Sequence, residues 1–212
     1  MKYLLLLGSS LLLACPAHAQ FGLRAGGNLL RLASDSLPSS SRVGYQVGIF
    51  YQIPLTAQWS LVPEVQFSRE RLQATSLEET PKANYQLRFS YLNLPVVARL
   101  TLGQVYIEAG PQLSWLVGGR GEGTIAYSNT FIRQIGQAVT DRYRRFDVGP
   151  CLGIGVKLPA GLGLSVRAYQ GLGSILRQNS FPSFDTAIPY AGHSSQHRQT
   201  LQASLTYQIA KR

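Results

Sequence analysis

The sequence predicts an all-β protein, an eight-stranded antiparallel up-and-down barrel that crosses a membrane. Three observations lead to this fold class. Apolar and polar residues alternate in repeated segments, the connections between these segments are long and short in turn, and 212 residues are enough for one such domain. We expect a signal segment at 1–19 and a single barrel domain at 20–212.

The composition agrees with a protein whose outer surface does not all face water. Charged residues make up only 14% of the chain, whereas hydrophobic residues make up 45%. The net charge is +10, but the basic residues are scattered along the chain and form no stripe. This scatter argues against nucleic acid as a partner and favours contacts with anionic lipid headgroups or lipopolysaccharide phosphates.

Residues 1–19 have the three parts of a cleavable secretory signal peptide. Lys2 supplies the positive charge, Tyr3–Ala14 is a short leucine-rich run, and Ala17–Ala19 is a small-x-small cleavage site. The apolar run is shorter than the roughly 20 residues that a spanning helix needs. We therefore expect an exported chain that begins at Gln20 after cleavage.

A second processing route stays open at Leu12–Cys15, which resembles a bacterial lipobox and would make Cys15 the lipidated first residue. Cleavage after Ala19 would instead leave Cys151 as the one remaining cysteine, so that no internal disulfide could form. We expect Cys151 to be a small packing residue, because nothing next to it in sequence would activate a thiolate.

The first three strands are predicted from alternation of apolar with polar residues. Phe21–Leu29 is a weak example, whereas Val43–Ile53 and Trp59–Phe67 alternate clearly. Because side chains alternate across a strand, each segment has one apolar face and one polar or small face. The eight predicted strands span about 21–31, 43–54, 58–70, 85–101, 104–117, 143–158, 161–177 and 198–209.

The fourth strand breaks this alternation. Its apolar residues occupy odd positions in Tyr85–Tyr91 and even positions in Leu92–Leu100. We interpret the change as a β-bulge near Tyr91–Asn93, with a strand that begins only at Tyr91 as the alternative.

The last four strands return to a regular pattern. Val105–Val117, Phe146–Leu158 and Leu201–Ile209 each place apolar residues on one face and polar residues or glycine on the other. Leu162–Ile175 is a weaker example of the same alternation. In chain order, these four segments predict the fifth to the eighth strands.

The connections indicate the topology. We predict long loops at 32–42, 71–84, 118–142 and 178–197, and short turns around 54–57, 101–103 and 159–161. The long loop at 71–84 could hold a short helical turn, and 118–142 has a flexible, glycine-rich start. Short periplasmic turns and long extracellular loops are typical of outer-membrane barrels, and an even strand count places both termini of the chain on the periplasmic side.

The residues of the polar face indicate which side of the barrel wall faces the lumen and which faces lipid. It carries opposite charges that would satisfy one another in a narrow lumen, so we expect the apolar face to point outward to lipid. The predicted lumen charge network contains Arg24, Glu64, Arg99, Glu108, Asp147 and Arg167. Two aromatic girdles are expected at the interfaces, from Tyr51, Trp59 and Tyr207 on the turn side and Tyr45, Phe67, Phe89 and Trp115 on the loop side.

The chain also resembles the PorT-like family of bacterial outer-membrane β-barrel proteins. The resemblance covers nearly the whole mature chain and depends on the order and spacing of short, glycine-rich motifs. These motifs are Gly44–Gly48, Trp59–Ser68, Tyr91–Pro95, Val105–Pro111, Phe146–Gly149, Gly153–Gly155 and Arg167–Leu172.

The resemblance implies an eight-stranded barrel in the outer membrane and implies little about activity. The family's namesake takes part in protein secretion, a role that would be carried over here only by fold-level analogy. This chain departs from a common outer-membrane pattern at its end, where Ala210–Arg212 follow Tyr207 and Ile209 in place of a terminal aromatic residue.

We predict a non-enzymatic, monomeric barrel with a structural or interaction role and with no cofactor or metal. Its expected partners are outer-membrane lipid and either lipopolysaccharide or another envelope protein. Candidate binding residues in the loop and its flank are Arg133, Arg142, Arg144 and Arg145.

Two alternatives remain from other classes. One is a soluble periplasmic barrel of the lipocalin kind, with its apolar face turned inward around a small apolar ligand. The other is an outer-membrane hydrolase of lipids or peptides that uses residues of the last long loop. Those residues are Asp185, His193, Ser194, Ser195 and His197.

Overall fold

A computed structural model describes residues 20–33, 39–75, 82–128, 131–138, 140, 143–174 and 197–209. The predicted signal peptide at 1–19, Cys15 within it, and most of the last long loop lie outside these residues. Within the described part of the chain, no helix is long and apolar enough to cross a membrane.

The described residues form nine strands, eight of which close into an antiparallel barrel. The ring runs β1-β2-β3-β4-β5-β7-β8-β9, and β9 pairs back to β1. The predicted eight-stranded up-and-down barrel is therefore confirmed. The strands are β1 (Gln20–Ala33), β2 (Ser39–Pro54), β3 (Trp59–Thr75), β4 (Lys82–Leu102), β5 (Val105–Ser128), β6 (Phe131–Ala138), β7 (Phe146–Lys157), β8 (Leu162–Ser174) and β9 (His197–Ile209).

The ninth strand corrects the prediction of a loop at 118–142. In place of a flexible glycine-rich start, β5 continues through this segment to Ser128 and pairs with β4 on one side and β6 on the other. β7 begins at Phe146, opposite Trp115, so one side of the barrel is much taller than the other. We call its outer part, residues 39–45, 69–75, 82–90, 118–128 and 131–138, the extended wall.

The same extension corrects the predicted loop at 71–84. Its first residues continue β3 to Thr75 and its last ones begin β4 at Lys82. The helical turn considered there would have to lie at 76–81, outside the described residues.

Three short turns join strands at the opposite end of the barrel, which we call the turn end. Residues 55–58 join β2 to β3, and the Thr56 hydroxyl accepts a hydrogen bond from the Trp59 amide at 3.0 Å. Gly103, with a φ of 64°, lies in the tight turn between β4 and β5, a conformation that glycine adopts without steric cost. A single 3-10 turn, Pro159–Gly161, joins β7 to β8.

The barrel wall has its apolar side outward. Large hydrophobic residues are exposed along most strands, as Leu152 at 61% and Ile154 at 54% illustrate. The alternate residues point inward, and most of the polar and charged ones are buried. This arrangement confirms the predicted orientation and is opposite to that of a soluble barrel around an apolar ligand.

The phase break in β4 has another cause than the predicted one. Odd residues of β4 stay inward from Leu87 to Arg99, so the strand itself keeps its alternation and begins well before Tyr91. The register shift lies in the pairing with β5, where Ser90 opposes Gly118 and Tyr91 opposes Leu116, leaving one extra residue on β5. The prediction of a bulge in β4 was therefore wrong.

What changes along β4 is the chemistry of the lumen. At the end with the long connections, the loop end, the inward residues are apolar and form one cluster. It contains Leu30, Leu72, Leu87, Phe89, Tyr91, Leu116 and Tyr143. Phe89 is 1% exposed and packs edge-on against Tyr143, so it does not belong to the predicted outer girdle. This apolar cap lies at the loop end of the polar lumen.

Candidate functional site

Arg167 lies at the centre of a buried charge network near the turn end. Its guanidinium donates hydrogen bonds to Glu64 at 2.8 and 3.0 Å and to Glu108 at 2.6 and 3.0 Å. These three residues come from β8, β3 and β5, so the network ties distant strands together across the lumen. Charged groups buried to this degree require such partners, because desolvation otherwise disfavours them strongly.

Two further arginines complete the network. Arg24 contacts Glu64 at 3.1 Å and donates to the Ser165 hydroxyl at 2.9 Å. Arg99 donates to Glu108 at 3.0 and 3.2 Å, and its guanidinium lies 4.3 Å from the Tyr106 ring centroid. We call Arg24, Glu64, Arg99, Glu108 and Arg167 the central network.

Asp147 does not join the central network, although it was grouped with these residues from the sequence. It is buried, and its carboxylate accepts hydrogen bonds from the Tyr169 hydroxyl at 2.8 Å and from the Gly173 amide at 3.3 Å. The β7–β8 ladder is recorded only from Cys151 and Tyr169 towards the turn end. Asp147 therefore links β7 to β8 on the loop-end side of Cys151, where no backbone pairing between the two strands is described.

A second buried ion pair, between Arg198 and Glu70, was missed in the sequence. Arg198 donates to both carboxylate oxygens of Glu70, one of them at 2.9 Å, and stacks 3.9 Å from the Tyr91 ring centroid. Both residues are end positions of predicted strands, 58–70 and 198–209, and neither was assigned to the lumen. The signal was present, since each continues the even-numbered inward series of its strand.

These contacts describe a filled lumen. An eight-stranded barrel has an interior just wide enough for its own side chains. Here the central network fills the lumen near the turn end, and the Arg198–Glu70 pair lies among the residues of the apolar cap, with Glu70 opposite Phe89 in the register. The described residues contain no group of three His, Cys, Asp or Glu side chains that could hold a metal ion.

Cys151 is fully buried in the wall of the lumen, where it packs in a cluster with Phe50, Val62, Val97 and Tyr169. A thiol in this position is inaccessible to a substrate at the loop end. The structure therefore gives it the packing position expected from the sequence.

Of the four candidate loop arginines, the structure describes the side chains of Arg144 and Arg145 and the strand position of Arg133. Arg144 and Arg145 are exposed just before β7, and the Arg145 carbonyl accepts a hydrogen bond from the Leu116 amide at 2.7 Å. Arg133 lies on β6, opposite Ile125, while Arg142 lies outside the described residues. The catalytic alternative depends mainly on residues outside the described part, and His197 begins β9.

A closed barrel with a lipid-compatible outer face and a charged, filled lumen defines a transmembrane β-barrel protein. A family model described as an outer membrane protein beta-barrel domain matches residues 16–177. The chain therefore belongs to the outer membrane protein β-barrel domain family, and its place is the bacterial outer membrane.

One solved structure shows the same fold at low sequence identity, and a second aligns with the chain at a lower TM-score. Ail of Yersinia pestis, solved with the heparin analogue sucrose octasulfate, aligns with a TM-score of 0.51 and 10% identity over 91% of this chain and 99% of that chain. Neisserial surface protein A aligns with a TM-score of 0.47 and 12% identity over 90% and 99% of the two chains. Among curated proteins, none matches the chain significantly.

Proposed function

We propose that this protein is a non-catalytic, non-conducting barrel that holds the extended wall at the cell surface, where the wall engages another component of the envelope. The observation that carries this proposal is the extension of β4, β5 and β6 beyond the level at which β7 begins. Strands that continue past the barrel rim add a rigid surface, which suits recognition better than a flexible loop does.

β6 offers a particular mode of recognition. Among the described strands it pairs with β5 alone, so its other edge has backbone groups that an extended segment of a partner could pair with. Arg133 lies on this strand, and Arg144 and Arg145 lie near the base of the same wall. The candidate arginines would then provide positive charge around the free edge of β6 and would not form a separate binding site in a loop.

The filled lumen supports a structural role over transport. The central network occupies the width of the barrel, with arginine side chains from β1, β4 and β8 directed at the same two carboxylates. An open path for ions would require these contacts to break, and truncating buried ion pairs of this kind costs about 3–5 kcal/mol.

The proposal also includes the parts of the sequence prediction that are finer than the family. These are cleavage of 1–19 with a barrel domain at 20–212, a periplasmic turn end, a monomeric state and membership of the PorT-like group. Ail, whose structure holds a sulfated heparin analogue, suggests anionic envelope or surface molecules as one class of partner. Lipopolysaccharide and a second envelope protein are the candidates from the sequence.

Shortening the extended wall tests the proposal. A variant in which an Asn-Gly turn replaces residues 121–137 would join the paired residues Arg120 and Ala138. We expect the variant to reach the outer membrane and keep a heat-shifted band on gel electrophoresis, but to fail to restore envelope integrity in a deletion strain, measured as exclusion of a large antibiotic.

The matched control replaces residues 55–58 at the turn end with a turn of equal length, and it should restore integrity like the parent chain. If the shortened wall restores integrity equally well, then the wall is not the interaction surface.

A further inference from the structure

A row of arginines crosses the outer face of the extended wall. The strand register places Arg42 opposite Arg71, Arg71 opposite Arg88, and Arg88 opposite Arg120, on four neighbouring strands. Arg69 lies two residues from Arg71 on β3, on the same face and closer to the middle of the barrel. We call these five residues the arginine row.

The row faces away from the lumen. The residues on either side of Arg71 in β3, and on either side of Arg88 in β4, are at most 1% exposed and point inward. Arg42 and Arg120 are exposed, and the other three arginines are half-buried. All five side chains therefore lie on the outer face of the extended wall, at neighbouring positions of the strand register.

This concentration of charge is only partly compensated. Arg88 forms an ion pair with Glu122 at 3.0 Å, and Arg42 donates a hydrogen bond to the side-chain amide oxygen Oε1 of Gln73 at 2.9 Å. Among the described residues of the row and its ion partner, five arginines and one glutamate leave a charge of +4 (5 − 1). Like charges directly opposite one another destabilise a sheet, so the row is unfavourable without an anionic ligand.

Two of these arginines also have unused donors. The Nε atoms of Arg69 and Arg71 are buried and have no hydrogen-bond partner within the described part of the chain. Buried donors are almost always satisfied in folded proteins, and a ligand with several acceptor oxygens would satisfy them here.

The position of the row narrows the chemistry of that ligand. Arg69, the member of the row nearest the middle of the barrel, is paired with Tyr45. Two residues further towards the turn end, Val47 is paired with Phe67 on the apolar outer face. At about 3.3 Å per residue, Arg71 lies roughly 13 Å along the strand from Phe67. A molecule that contacts both the arginine row and the apolar outer face has anionic groups towards the loop end and apolar chains towards the turn end.

We propose that the arginine row binds the phosphate groups of a phosphorylated glycolipid of the outer leaflet, whose acyl chains lie against the apolar outer face. Guanidinium groups suit this task because their planar donors bind phosphate oxygens in pairs. The inference deepens the proposed function and rests on its orientation, with the loop end at the cell surface. It assigns the glycolipid to the outer wall and leaves β6 free for a protein partner.

The test measures binding of diphosphoryl lipid A to the purified full-length barrel in detergent, with dephosphorylated lipid A as the reference probe. We expect the triple variant Arg69→Gln, Arg71→Gln, Arg88→Gln to bind diphosphoryl lipid A at least tenfold more weakly than the parent chain. A charge-matched control, Arg31→Gln, Lys211→Gln, Arg212→Gln, removes three positive charges that belong neither to the row nor to the candidate binding residues, and it should bind within about twofold of the parent.

Three outcomes would overturn the proposal: undiminished binding by the row variant, equal losses in both variants, or parent binding of soluble sucrose octasulfate as tight as that of lipid A. The last outcome would indicate a site for a soluble polyanion. If the row variant gives no heat-shifted band, then the exposed pair Arg42→Gln, Arg120→Gln replaces it, with an expected loss of at least threefold. Binding in detergent does not depend on orientation in the cell, so its failure leaves the wall-shortening result unaffected.

Discussion

At the scale of single residues, the central network has one more positive charge than negative charges. The central network holds three arginines and two glutamates, all nearly inaccessible to solvent. Glu108 contacts all three arginines, at 2.6, 3.0 and 3.6 Å, whereas Arg24 shares its carboxylates with other arginines. The two residues should therefore differ greatly in what their removal costs.

We predict that Glu108→Gln destabilises the barrel more than Arg24→Gln does. The first change keeps the shape but leaves three guanidiniums with one carboxylate, which should lower the free energy of unfolding by about 3–5 kcal/mol. The second leaves two charges of each sign and should cost less. Urea unfolding followed by the fluorescence of Trp59 and Trp115 measures both. A larger loss for Arg24→Gln would contradict this account of the charge balance.

At the scale of elements, the barrel depends on the pairing of its first and last strands. β1 and β9 are paired over thirteen recorded residue pairs, from Phe21 opposite Ile209 to Ala33 opposite His197. At Gly26 the two backbones approach so closely that a Cβ atom would lie 2.0 Å from the Ala203 carbonyl oxygen. At the next residue, Gly27, the nearest atoms would be 3.7 Å away, an ordinary contact.

These two neighbours make a matched test of ring closure. Gly26→Val should abolish the heat-shifted band, because backbone atoms cannot move aside as a flexible side chain can. Gly27→Val places a strand-favouring residue on the outer face and should keep the band and the thermal stability of the parent chain. Recovery of a normally folded Gly26→Val barrel would mean that the β1–β9 closure is less close than described.

At the scale of the whole molecule, the barrel is a plugged support for a tall, one-sided wall. The central network fills the lumen near the turn end, and the Arg198–Glu70 pair and the apolar cap together fill it towards the loop end. On the outside, the arginine row lies nearer the loop end, and the apolar outer face lies between the row and the turn end. The same chain therefore combines a rigid centre with two surfaces of different chemistry near its loop end.

We predict that the protein shows no steady single-channel conductance in planar lipid bilayers at neutral pH. Ions crossing the barrel would have to pass the central network, whose side chains fill an interior already narrow for eight strands. A porin inserted under the same conditions provides the positive control. Stable, ohmic conductance steps from the purified barrel would show that the lumen is open and would remove the basis for a purely structural centre.

Much of this architecture was predictable from the sequence, because the information was local. Alternation with a period of two shows which residues share a face, so all six predicted lumen residues lie inside. Turn positions such as Gly103 follow from residue type, and eight strands with alternating connections indicated closure. The strand ends were less predictable. Glu70 and Arg198 continue the inward series of β3 and β9 beyond Trp59–Phe67 and Leu201–Ile209, the segments in which the alternation was recognised.

Other features were decided only in three dimensions. Arg167 and Glu64 are 103 residues apart, and whether Asp147 joins them depends on strand stagger around the ring rather than on any local pattern. The change of apolar face in β4 could be explained only once its odd residues were seen to enter an apolar cap. The arginine row, likewise, exists because four separate strands bring five arginines, two of them on β3, to neighbouring positions of the register. Local chemistry determined the faces of the strands, whereas register and closure, which are properties of pairs and of the ring, determined what those faces meet.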